Sequence, residues 1–120
     1  MILKATAEEI LARLPGPATA LWPTGEPFSV ALRHGSMSVE LFAPRDIDVQ
    51  TPHAQDELYF VYKGAATAWI VEDSFKVSVG SAFFVPAHVA HRFADMTPDF
   101  SVWVVFWGPS GGEADGMEGS

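Results

Sequence analysis

No cysteine occurs in the chain, which excludes disulfides, thiolate metal sites and a thiol nucleophile. No apolar run approaches the roughly 18 residues that a membrane-spanning helix needs. The N-terminus carries Lys4 but no apolar stretch before Glu8 and Glu9, so it does not read as a secretory signal. Basic residues are scarce: Lys and Arg together number 7 against 15 Asp and Glu, a formal charge of −8. Phosphate backbones are gripped by basic stripes, and none is present here. Nucleic acid and membrane are therefore not expected as partners, and a cytoplasmic location is expected. The acid excess serves solubility more readily than ligand choice.

What is present is a chain of one-domain length, 120 residues with 48% apolar residues, long enough to close a core without covalent staples. Residues 1–27 are expected to form a short helix and an extended arm. Thr6, with Glu9 three positions later, has the form of a capping box, and Pro15-Gly16-Pro17 stops the helix after Leu14. Ile10, Leu11 and Leu14 share one face of it and should dock on the body of the protein. Residues 28–107 read as β throughout. Strand-like runs occur at 28–33, 37–42, 58–62, 66–71, 75–79, 82–85, 91–93 and 101–107, with turn signals every 8–12 residues. That spacing predicts an all-β sandwich or barrel. Ser101 to Trp107 is apolar on both faces. One face belongs in the core, and a second subunit is expected to cover the other, giving a homodimer. Residues 108–120, rich in Gly and acids, are expected to fray.

Two segments carry polar residues that make sense together. His53, Asp56 and Glu57 precede the run 58–62, which Gly64 closes, while Gly80 and Pro86 lead to His91 at the start of a later run. His53 and Glu57 are four apart, an offset that on a straight strand separates the Cα atoms by about 13 Å. One ion with ligand bonds of about 2.0–2.2 Å is not shared across that gap. The intervening Ala-Gln-Asp must turn the chain, with Asp56 as a good turn residue, so that His53 closes one strand and Glu57 opens the next. Taken singly, each of the three reads as a satisfied structural residue. Taken together, two imidazoles and a carboxylate suit one divalent transition metal, Fe, Mn, Ni or Zn, with positions left open for water or substrate.

Both segments resemble the two motifs of the cupins, small β-barrels. The spacing His53, three residues, Glu57, six residues, Gly64 matches the second half of the first motif. Gly80, five residues, Pro86, one residue, His88, two residues, His91 matches the second. The resemblance implies a cupin-type double-stranded β-helix, or jelly-roll barrel, behind the short N-terminal helix. It implies His53, Glu57 and His91 as metal ligands. Four departures stand out. Thr51 occupies the place of the first motif's leading histidine, and Arg45 that of its glycine. His88 replaces a turn glycine and is expected to be a turn variant and not a ligand. Asp95 stands in place of an asparagine. Gln50 or Gln55 could supply an amide oxygen for the missing ligand, although strand parity does not favour Gln50.

Tyr59, two residues beyond Glu57, should share its inward face and, with Phe93, contact a small, partly apolar ligand. Phe83 or Phe84 and one face of 102–107 should also line that pocket. Arg92 should point outward. The implied function is a metal-dependent enzyme of oxygenase, isomerase or lyase type acting on a small organic substrate. Two alternatives are a non-catalytic small-ligand sensor and a metal-free cupin like the sugar epimerases. The sequence alone does not choose between them, because the fold hosts many chemistries.

Overall fold

The alternation of apolar and polar side chains becomes eight strands in two sheets. The structure is a computed structural model and describes residues 1–114; residues 115–120 of the acidic tail lie outside it. In chain order the elements are helix α1 (Ala7–Leu11), β1 (Phe28–His34), β2 (Met37–Phe42), β3 (Asp56–Lys63), β4 (Ala65–Ile70), β5 (Asp73–Ser78), β6 (Ala82–Val85), β7 (His91–Ala94) and β8 (Ser101–Trp107). Every strand read from the sequence is present, with ends displaced by two residues at most. No helix among the described residues is long and apolar enough to cross a membrane.

One sheet has five strands in the order β1-β2-β8-β3-β6, and the other has three in the order β5-β4-β7. All pairings are antiparallel. The inward side chains of the two sheets form one core. Phe42, Tyr59, Val61, Val102, Val104 and Phe106 come from the larger sheet, and Ala66, Ala68, Val77 and Phe93 from the smaller. The result is the expected jelly-roll barrel. Strand β5 is less buried than its alternation suggested: Val77 is in the core, but Phe75 is largely exposed. As an edge strand it has a neighbour on one side only.

Two turn positions explain motif residues. Gly64 has φ +74°, and a Cβ there would come within 2.9 Å of the Phe100 Cα, so the β3–β4 turn admits only glycine without strain. His88 takes φ +64°, the conformation that a glycine would adopt at this point of the turn. His is tolerated there better than a β-branched residue, and His88 is exposed at the surface, as a turn variant should be.

The helix is shorter than its pattern suggested. Thr6 caps it as predicted, with its hydroxyl accepting from the Glu9 N–H at 3.2 Å. Regular helix ends at Leu11, and the chain leaves through tighter turns. This helix also reaches the outer face of β8. Ile10 packs with Ala7, Ala31 and Leu41 into a second apolar cluster, against which Leu32, Tyr62 and Trp103 rest. The outer face of the large sheet is therefore covered in part by the chain's own N-terminus. Leu41, Trp103 and Phe60 form one cross-strand row. The row beneath it, Val39, Val105, Leu58 and Phe84, has no such cover from α1.

Ile10 is fully buried at this interface. Replacing it with alanine removes most of the contact between α1 and the sheet, so Ile10→Ala should lower unfolding free energy by about 2–5 kcal/mol in urea titration. The folded variant should keep the barrel's near-ultraviolet dichroism, because the cluster lies outside the main core.

Candidate metal centre

The centre lies where the two sheets meet, and its residues arrive from three directions. Glu57 is the second residue of β3, facing inward beside Tyr59. His91 opens β7 in the other sheet. His53 sits in the irregular segment 43–55, which has no regular strand. The expectation that His53 closes a strand is thus corrected: Pro52 and the bends at 54–55 leave the chain irregular up to Asp56.

Asp56 does more than turn the chain. Its carboxylate accepts from the Ala87 N–H at 3.0 Å and from the Glu113 N–H at 2.8 Å. The His88 N–H donates to the His53 carbonyl at 2.7 Å. These bonds lash the turn 86–90 of the second motif to the first motif. They place His91 opposite Glu57. The Gly111 N–H also donates to the Ala54 carbonyl at 2.7 Å, so the start of the tail folds back over this junction.

The three predicted ligands converge. One donor atom from each of His53, Glu57 and His91 lies within 4.8 Å of the others. Around an ion with bonds of about 2.0–2.2 Å, donors stand roughly 3–4.4 Å apart, so small side-chain adjustments suffice to hold one. Glu57 Oε2 is 3.1 Å from His91 Nε2, and Glu57 Oε1 meets His53 Nδ1. Those last two atoms are buried, and apart from this contact with each other neither has a partner among the described residues. Buried polar atoms rarely stay unsatisfied, and a cation shared between them answers both.

His91 is oriented for the same purpose. Its Nδ1 lies 2.8 Å from the Val89 carbonyl. A carbonyl accepts only, so Nδ1 carries the proton and Nε2 presents its lone pair to the centre when the ring is neutral. Tyr59 is only 1% exposed, and its hydroxyl sits 3.0 Å from both Glu57 Oε2 and His91 Nε2. Burial, and then the neighbouring Glu57 charge, push the phenol well above its ordinary value. It stays protonated and can donate only once.

Gln50 is the residue that parity misjudged. Its Oε1 lies 3.1 Å from His91 Nε2 and 3.4 Å from the Tyr59 hydroxyl. Its amide nitrogen donates to Asp48 at 2.7 Å, and its backbone N–H donates to the same carboxylate at 3.0 Å. With the nitrogen engaged, the amide oxygen must face the centre. Asp48 also accepts from the Phe93 N–H at 2.9 Å, which fixes the segment to β7. Strand parity failed because residues 43–55 are not a strand. Thr51, in the place of the missing histidine, is exposed; Gln55 turns away and donates to the Ser36 and Gly108 carbonyls.

Charge follows from this geometry. Burial alone would raise the Glu57 carboxyl, but the two imidazoles beside it outweigh burial and hold it below its ordinary value. Burial alone would lower His91, but contact with Glu57 raises it. Asp48 is raised by burial despite the hydrogen bonds it accepts.

A cavity of about 370 Å³ opens beside the centre, with His53, Tyr59, Gln50 and Thr51 at one end and Trp22, Phe28 and Phe42 at the other. Val104 and Phe106 line it as predicted for β8. Phe93 is placed otherwise than expected. It is 4% exposed, and its ring packs among Tyr59, Phe83 and Phe100 at centroid distances of 4.8–5.8 Å, in the core and off the cavity wall. Phe83 stacks on Tyr59 at 4.8 Å and holds the ring that carries the hydroxyl. Arg92 points outward over Trp69, as its parity required.

Glu40 went unrecognised in the sequence. It shares the inward face of β2 with Phe42 and stands in one row with Val104 and Tyr59. The alternation of β2 could have revealed it, since Leu41 packs under α1 and its neighbours must therefore face the barrel. Burial raises the Glu40 carboxyl to about 7.

Comparison with known proteins agrees with this architecture. Residues 38–107 match the family model described as a cupin domain. An uncharacterised protein of Streptomyces coelicolor is 45% identical over 80 residues, covering 65% of this chain and 76% of that one. The plu4264 protein of Photorhabdus luminescens superposes with a TM-score of 0.63 at 17% identity, over 90% of this chain and 88% of that one. KdgF of a Halomonas species gives 0.59 at 22% identity, over 75% and 81%. At such identities the two structures speak for the fold alone, while the profile matched across most of the barrel establishes kinship: the chain belongs to the cupin family.

Proposed function

We propose that this protein is a metal-binding cupin that uses His53, Glu57 and His91 as ligands and receives a small organic molecule in the adjoining cavity. The observation that carries this reading is the surplus of buried acceptors. With neutral imidazoles, His91 Nε2, both Glu57 oxygens and the Gln50 amide oxygen converge on a centre whose donors are at most the Tyr59 hydroxyl and one N–H of His53. Two nitrogens, a carboxylate and an amide oxygen suit Fe(II), Mn(II), Ni(II) or Zn(II). Such an ion supplies Lewis-acid polarisation or activation of a bound oxygen ligand.

The protein's own groups divide the remaining work. Val89 fixes the His91 tautomer, Asp48 orients Gln50, and Tyr59 donates to Glu57 and aligns the carboxylate. The apolar walls exclude water from one side of the ligand. Oxygenase, isomerase and lyase chemistry all start from this arrangement. A second reading, metal-free acid–base chemistry, draws on the Tyr59–His91 contact of 3.0 Å.

Elemental analysis of untagged protein tests the first reading directly. Near-stoichiometric metal is expected, lost in His53→Ala and His91→Ala, with affinity in Gln50→Ala weakened about 10–100-fold. Unchanged metal content in His53→Ala would remove the ligand assignment. Absence of metal that is not regained on addition would transfer the case to the acid–base reading. An oxygenase further requires iron and substrate-dependent oxygen uptake.

The titrating groups give a second expectation, for metal-free protein. His91 is raised, so its contribution to stability is complete below its ordinary value of 6.5 and is lost as pH rises through its folded value. Glu40 and Asp48, raised carboxyls, act in the same direction: their contribution is complete below the ordinary carboxylate range and disappears as pH rises, for Glu40 through about 7. Glu57 is lowered and opposes them only at acid pH, where its contribution is lost as pH falls through its folded value. Thermal melting of metal-free protein should therefore occur at lower temperature near about pH 8 than near about pH 5.5. Stabilisation by added Zn(II) should grow over the same interval, because bound imidazoles must be neutral.

The same proposal includes a homodimer and a cytoplasmic location. Phe60 and Phe84 are 41% and 48% exposed on the outer face of the large sheet, and Phe84 packs against Trp107. A second copy covering this face would bury them. Sedimentation analysis should show a dimer that Phe84→Glu dissociates, with the monomer still folded.

A further inference from the structure

The cavity beside the centre has two ends of different chemistry. At the far end Trp22, Phe28 and Phe42 stand with their centroids 6.1–6.4 Å apart and their planes inclined by 54–74°. Strand register sets two of these rings, since Phe28 pairs directly with Phe42 across β1 and β2. A turn in the arm sets the third: the Trp22 N–H donates to the Thr19 hydroxyl, and the Trp22 carbonyl accepts from Gly25, both at 3.0 Å. Three mutually inclined rings make a corner. Glu40, two residues before Phe42 on the same strand, faces the same space, and Glu26 also lines it. Among the described residues no Lys or Arg lines the cavity, and its basic side chain is His53, at the end of the triad.

We propose that this end is a subsite for the cationic head of a small aliphatic ammonium compound, with Glu40 as the counter-charge and Trp22, Phe28 and Phe42 as the aromatic wall. Ring faces attract ammonium groups through their quadrupoles, most strongly where water is excluded. A carboxylate alone would accept any donor, and rings alone any apolar group. Their combination selects a cation with apolar substituents. An anionic substrate would meet Glu26 and Glu40, with only His53 and, more weakly, Arg33 to offset them. The Glu40 carboxyl has no hydrogen-bonding partner among the described residues, and burial has raised it, so it gains from an incoming positive charge. The subsite extends the proposed function to a ligand class: a molecule with a lone-pair donor toward the triad and an ammonium group toward Glu40. It rests on the reading of this cavity as the ligand site and stands whether or not the triad holds metal.

Calorimetric titration of the full-length protein, metal-free and Zn(II)-loaded, tests it with choline, with the neutral carbon isostere dimethylbutanol and with the anion dimethylbutanoate. Choline should bind about tenfold or more tightly than the isostere, with the anion weakest. Glu40→Gln, which keeps size and folding, should abolish the preference for choline over dimethylbutanol. Trp22→Leu, which keeps an apolar wall without a ring face, should weaken choline selectively. Equal affinity for choline and its isostere, preference for the anion, no binding of any probe, or an unaltered preference in Glu40→Gln would each overturn the proposal. Metal content measured on the same samples separates the two ideas, since a choline preference in protein that takes up no metal leaves this subsite intact and removes the metal centre.

Discussion

The meeting of Glu57 with two imidazoles at the junction of the sheets is the constraint around which this barrel is arranged. Glu57 is 1% exposed, and a buried carboxylate is costly unless positive charge or hydrogen bonds surround it. His53 and His91 supply that surrounding from opposite sides, and Tyr59 supplies one hydroxyl proton. The supply is incomplete in proton count. A protonated His91 satisfies Glu57 at the expense of the lone pair that a metal would use. A cation held by His53, Glu57 and His91 would balance the carboxylate charge with the imidazoles neutral. Protonation of His91 and binding of a cation would therefore compete at this centre.

The scaffold holds this meeting point through the irregular segment 43–55, which is long enough to cross from β2 to β3 and short of regular hydrogen bonds of its own. Asp48 compensates by accepting from the Gln50 and Phe93 backbones, and Asp56 by accepting from Ala87 and Glu113. Each carboxylate thereby replaces ladder bonds that a strand would have provided. Between them lie Gln50 and His53, the residues that reach the centre from this segment. The irregular backbone is the reason a side chain from outside the strand lattice can point inward at the required height. Phe83, stacked on Tyr59, and Phe93, set edge-on to it, close the core beneath the hydroxyl. They limit movement of the Tyr59 phenol that donates to the centre.

Fold and triad were legible because both depend on patterns that survive in one dimension. Strand alternation at β2, β3 and β8 follows from burial of one face, and β6 and β8 were bounded to the residue by Gly80 with Pro86 and by the apolar run itself. The spacing from His53 to Gly64 and from Gly80 to His91 encodes two turns, and Gly64 and His88 take the positive φ those turns demand. Gln50 was not legible by parity, which holds only within a strand. Its position follows from Asp48, a long-range partner of β7 that no local pattern announces. The cover of β8 by α1 was likewise half visible: the apolar face of the helix could be read, but the surface it docks on could not. Phe93, expected on the pocket wall, lies elsewhere. Parity correctly turned it inward, yet the inward side of β7 is filled by rings from β3, β6 and Phe100 before the cavity begins.

Glu40 is a half-buried carboxyl whose charge the protein offsets only in part. Tyr59, one strand removed across Val104, is surrounded by acceptors, whereas Glu40 in the same row has burial and repulsion from Glu57 and Glu26, with only partial relief from His53 and Arg33. A carboxyl raised by burial gains when it is protonated or when a cation lies against it. A structural role would favour glutamine or an apolar residue, which would fill the same space without that penalty. Retaining an ionisable group opposite an aromatic corner, on the wall of a cavity that also reaches the triad, is the arrangement of a site whose stability is completed by what it binds.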